Sequence, residues 1–97
     1  MEASTEVLAF TRYLSFERGL SPHTTRAYVG TLRRYVAFLV SKGVSVEDAT
    51  KVEIRAFLFH VGDKRSAATI ARHTSAIRVY YGWLVASGAV AQSVAAG

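Results

Sequence analysis

The chain holds a single proline, at residue 22, directly after Ser21. Proline fixes φ near the helical value and lacks an N–H, so a helix accepts it only in its first turn. A serine just before it supplies a side-chain oxygen for the free N–H groups of that turn. Ser21-Pro22 therefore reads as a helix start, and the rest of the chain contains no other breaker of that strength. Its seven glycines are scattered and its β-branched runs are few. The expected class is all-α.

Four helices follow from apolar residues at spacings of three and four. The first is expected from about Thr5 to Arg18, with Leu8, Phe10, Leu14 and Val7 inward, and with Gly19 as its left-handed stop. The second runs from Pro22 to about Ser41, with Tyr28, Leu32, Tyr35, Val36 and Leu39 inward, and stops at Lys42-Gly43. Thr50-Lys51-Val52-Glu53 has the capping-box pattern and opens a third helix to about Val61, burying Ile54, Phe57, Leu58 and Val61. Ser66 is expected to cap the fourth, about Ala67 to Ser87, which ends at Gly88. Its inward stripe is Ile70, Thr74, Ile77, Tyr81, Leu84 and Val85. The tail AVAQSVAAG admits three readings: a frayed end, a fifth short helix, or the edge of a longer protein.

At 97 residues the chain makes one small domain, and 51% hydrophobic content is ample for a folded one. The absence of cysteine excludes disulfides and thiolate metal sites. No apolar run approaches the roughly 18 residues of a membrane span. Glu2 and Glu6 stand where a secretory signal would be basic, so a cytoplasmic location and no membrane partner are expected.

The net charge of +5 is unevenly placed. Residues 1–17 carry three acids and one base, and residues 43–63 carry four acids and two bases. Residues 18–42 hold five bases and residues 64–97 hold four, and neither stretch holds an acid. The excess therefore lies on the second and fourth helices. If these share a face, the face attracts phosphates, and binding there weakens with salt as counterions are released. Helix N-termini add free N–H groups and the positive end of the dipole. Thr24 and Thr25 lie in the first turn of the second helix and Thr69 near the start of the fourth, where hydroxyls suit phosphate contacts. Arg26, Gly30 and Arg33 recur away from the inner stripe of the second helix, and Arg65, Thr69, Arg72 and Ala76 do so on the fourth. Gly30 and Ala76 are small enough for a DNA backbone or base edge to come close. The competing reading is a small helical protein-interaction module that meets its partner through the apolar tail and Trp83, its basic faces merely solvated.

Three motifs add a resemblance. Phe10 to Leu14 (FTRYL), Gly19 to Tyr28 (GLSPHTTRAY) and Thr69 to Tyr81 (TIARHTSAIRVYY) stand in the order and at the spacing of the N-terminal core-binding domain of tyrosine recombinases, the phage-integrase family of Xer type. The likeness runs over nearly the whole chain. It implies a SAM-like orthogonal bundle of four helices, or five if the tail folds. It also implies that the second and fourth helices lie on double-stranded DNA, touching phosphates and major-groove bases. By motif position, His23, Thr24, Arg26 and Arg33 fall on the DNA side of the second helix, and Thr69, Arg72, His73 and Arg78 on or near that of the fourth. Thr74 stands where the family usually has leucine and Trp83 where it usually has phenylalanine. The family's asparagine-proline after the last helix is absent.

The same resemblance implies a separate C-terminal catalytic domain, before which this chain ends, and assembly of four protomers on DNA. His23-Thr24-Thr25-Arg26 imitates the family's catalytic H-x-x-R, but it sits directly after Ser21-Pro22 in a helix start. Tyr28, Tyr35 and Tyr81 lie on inward stripes, and no tyrosine has the cationic partners that would activate it as a nucleophile. His23, His60 and His73 form no i,i+4 pair with a carboxylate that would suggest a metal. No catalytic residue, cofactor or metal is expected in this chain, and its expected role is to grip DNA.

Overall fold

A computed structural model describes residues 2–62 and 66–95. Its elements are α1 (Glu2–Arg12), a π-helical turn (Tyr13–Glu17), α2 (Pro22–Lys42), α3 (Lys51–Gly62) and α4 (Ala67–Ala86), and the described residues form no strand. The all-α class and the four-helix bundle are as expected. α2 and α4 form the principal pair, with α1 against α2 and α3 against α4.

The helix ends follow local chemistry. Ser21 Oγ accepts the Thr24 N–H at 3.1 Å, and Ser66 Oγ accepts the Thr69 N–H at 3.2 Å. Both starts are thus the same Ser-x-x-Thr device, with the hydroxyls 3.0 Å apart in each. α2 and α4 also end alike. Gly43 at φ +69° and Gly88 at φ +81° let the chain fold back, so that Val44 N–H reaches Leu39 O and Ala89 N–H reaches Leu84 O. At α3, Glu53 Oε1 takes both the N–H and the hydroxyl of Thr50, at 2.6 and 2.7 Å. Those bonds hold the Glu53 carboxyl below its ordinary pKa, the backbone bond first.

The first helix departs from expectation. It does not run unbroken to Arg18 but widens at Tyr13–Glu17, where Arg18 N–H bonds to Tyr13 O. The wider turn accompanies an aromatic cluster. Phe10 is fully buried, edge-on to Tyr80 and stacked with Tyr13, and Trp83 lies 5.4 Å from Phe10. Leu14 is fully buried beside them, whereas Leu8, expected inward, is 51% exposed. Val85, also expected inward, is 36% exposed, whereas Leu84 beside it is buried.

The core holds Phe10, Leu14, Leu32, Tyr35, Leu39, Ile54, Phe57, Ile77, Tyr80, Tyr81 and Leu84. Its polar atoms are paired across elements. Tyr81 donates to Val46 O at 2.9 Å, which leaves its oxygen to accept from Tyr35 at 2.6 Å. Tyr80 donates to Glu6 Oε1 at 2.8 Å, tying α4 to α1. Burial, above all, pushes Tyr35 and Tyr80 well above the ordinary tyrosine range and raises Tyr81 as well. The tail forms turns rather than a fifth helix among the described residues, and Val90, Val94 and Ala95 pack against the core.

Candidate nucleic-acid interface

On α2, His23, Arg26 and Arg33 are exposed, and Gly30 lies between the two arginines with nothing within 4 Å of where a side chain would start. On α4, Arg72 is exposed. Thr24 and Thr69 are half-buried in the two matching caps. No acid lies in either helix. Arg65 lies outside the described residues.

Burial corrects three expectations. His73 is 2% exposed and Thr25 is 5% exposed, so neither side chain is placed to touch DNA directly. Both fall on inner faces: Thr25 one turn before Tyr28 and Val29, His73 one turn before Ile77. Ala76, expected as a small open position, is 2% exposed under the α2–α4 seam. Its neighbours there include Thr31 and Tyr35. Thr25 Oγ1 has no hydrogen-bond partner among the described residues.

His73 instead joins the two basic helices. Its Nδ1 lies 2.6 Å from Thr31 Oγ1 across the seam, and its ring meets Phe57 edge-on at 6.3 Å. Thr31 is not among the residues expected from the sequence, yet it is 1% exposed and bridges α2 to α4. Its signal was a polar residue one turn before an inner tyrosine, matched by a polar residue on the inner face of the partner helix. The bond sets Thr31, two residues before Arg33, beside His73, one residue after Arg72.

Arg78 is exposed but belongs elsewhere. It lies about 120° around α4 from Arg72 at 100° per residue. There it lines a depression with Lys51 and Arg55 of α3 and Val94 of the tail. Arg78 therefore lies on the α3 flank of α4, about a third of a turn around the helix from Arg72.

The model of the family described as "Phage integrase, N-terminal SAM-like domain" matches residues 7–88. The chain belongs to that family. Among curated relatives, it is 39% identical over 88 residues to "Tyrosine recombinase XerC" of Mycobacterium tuberculosis (strain ATCC 25177 / H37Ra) and to that of Mycobacterium bovis (strain BCG / Pasteur 1173P2). It is also 39% identical over 90 residues to the protein of that name from Mycobacterium sp. (strain JLS). In each case the match covers 90% of this chain and 30% of the relative. No solved structure matches. Membership accounts for the bundle and for the matching motifs at both basic helices. No helix among the described residues is long and apolar enough to cross a membrane.

Proposed function

We propose that this chain is the part of a site-specific tyrosine recombinase that grips one side of duplex DNA, through α2 and α4. One observation carries the proposal: Arg26, Arg33 and Arg72 stand exposed on two acid-free helices that the Thr31–His73 bond locks side by side. The paired Ser-x-x-Thr caps put two helix N-termini on those helices, and dipole and free N–H groups there favour phosphate. His23, Thr24 and Thr69 supply polar contacts beside the arginines, and Arg65 extends the basic run ahead of α4. Arg78 serves the α3 flank and not the main grip.

Strand cleavage through a phosphotyrosine belongs, on this reading, to a C-terminal catalytic domain of the whole protein, and the chain performs none alone. Binding by the chain is weak, since half of the clamp lies in that other domain. Four protomers assemble on DNA, with the acidic α1 and α3 away from the duplex. The protein-module reading loses its support in the fold. Trp83 is half-buried among Phe10, Tyr13 and Tyr80, and the tail is packed on the core.

An NMR titration with a short duplex at two salt concentrations tests the proposal. Shifts confined to α2 and α4 that fade with salt are expected. Absence of shifts at low salt with several duplexes would refute it.

A further inference from the structure

The C-terminal half of α2 and the facing side of α3 enclose a groove that the duplex face leaves unused. Its deeper part, of about 770 Å³, is lined by Arg34, Phe38, Lys42 and His60 over a floor of Phe57. A shallower part, of about 580 Å³, shares Phe38, Lys42 and His60 and is bordered by Phe59. Rings and cations line it together. The Phe38 and His60 rings lie 5.6 Å apart at a tilt of 35°, and Lys42 Nζ stands 5.4 Å from the Phe38 ring centre. Phe59 is 83% exposed. No carboxylate lines either part among the described residues.

A lone exposed phenylalanine needs no explanation. Here the ring stands beside two more rings and the basic side chains Arg34 and Lys42, and that combination selects a ligand. Both walls are helical, so their backbone groups are bonded internally and offer no edge to an extended peptide. What remains is ring faces and positive charge. The matching ligand carries flat rings with one negative charge for each, which is the chemistry of unpaired nucleotides. The groove also continues the duplex face. Ala37 lines it, one turn after Arg33, and Arg34 is the next residue in the chain.

We propose that this groove binds single-stranded nucleic acid, with about two unpaired nucleotides stacked on Phe59 and on the Phe38–His60 pair. Arg34 and Lys42 hold their phosphates. The proposal rests on the duplex reading only for the direction from which the strand arrives.

Fluorescence anisotropy with a labelled oligothymidylate, and separately with a labelled blunt-ended two-strand duplex, tests it on the full chain. Phe59→Ala removes an exposed side chain and is expected to leave the fold intact, as circular dichroism would check. It should weaken oligothymidylate binding by about 5- to 150-fold, the equivalent of one lost base stack, and leave duplex binding unchanged. Lys42→Ala should weaken the single strand and flatten its salt dependence. Arg33→Ala with Arg72→Ala should weaken the duplex alone. No binding of oligothymidylate at low salt would overturn the proposal. So would single-strand binding that Phe59→Ala spares and the arginine pair abolishes, since the strand would then be using the duplex face. Displacement of oligothymidylate by an acidic phenylalanine-bearing peptide of equal affinity would assign the groove to protein and overturn it too. No duplex binding by the unsubstituted chain, with the single strand still bound, would refute the duplex reading and leave the groove standing.

Discussion

Replacing Tyr81 by phenylalanine removes one oxygen and breaks two bonds. The hydroxyl donates to Val46 O at 2.9 Å and accepts from Tyr35 at 2.6 Å, and both tyrosines are essentially fully buried. Without it, the Val46 carbonyl and the Tyr35 hydroxyl lose their partner together. A buried polar group left unpaired costs about 1–3 kcal/mol, so Tyr81→Phe, which leaves two, should destabilise the fold by about 2–6 kcal/mol. Tyr35→Phe removes only the incoming donor and leaves Tyr81 bonded to Val46, for a loss of about 0.5–1.5 kcal/mol. The double variant deletes the orphaned Tyr35 hydroxyl as well. It should therefore be no less stable than Tyr81→Phe alone, although the sum of the single effects is larger. Urea unfolding of the four proteins, with slopes compared to confirm a common unfolded state, measures each value. If Tyr35→Phe costs as much as Tyr81→Phe, or if the two losses add, the relay from Tyr35 through Tyr81 to Val46 is wrong.

Four further outcomes are expected. The raised pKa values of Tyr35, Tyr80 and Tyr81 mean that the unfolded chain ionises first, so stability should be full below pH 10 and fall above it. The phenolate absorbance of these three should then appear only with loss of helix, and ionisation of all five tyrosines of the chain within an intact helical fold would contradict it. Ser21→Ala and Ser66→Ala should each cost about 1 kcal/mol by thermal melting, because each removes the oxygen that takes a threonine N–H. Gly30→Ala should raise stability by about 0.5–1 kcal/mol, since the new methyl enters open space within a helix, and a lower melting temperature would count against this. Arg72→Ala should reduce discrimination between the specific site and random DNA more than Arg33→Ala does, as judged by competition binding. Equal losses on both DNAs for both variants would assign both arginines to phosphate.

The helices were legible because their ends are local chemistry. Ser21-Pro22, Gly43, Thr50 with Glu53, Ser66 and Gly88 act on their own neighbours, and each boundary fell within two residues of the structure. The π-turn was not legible, since it accompanies packing of Phe10, Tyr13 and Trp83 across two elements. Charge partition pointed to α2 and α4, yet a charge count has no angle in it. It could not separate Arg78 from Arg72, nor see that His73 faces Thr31 rather than solvent. The groove at Phe38 was hidden for a similar reason. Arg34 and Lys42 read as two more bases until α3 brought His60 and Phe59 beside them.

The Thr31–His73 bond has a thermodynamic consequence for any ligand that spans the seam. Two arginines on independently moving helices would have to be brought to a common spacing at the moment of contact, and that ordering would be subtracted from affinity. Here the two helices are already joined on folding, by a buried 2.6 Å contact between Thr31 and His73. The surface is preorganised, so it distinguishes rigid partners whose charges already match its geometry from flexible ones that match it only on average.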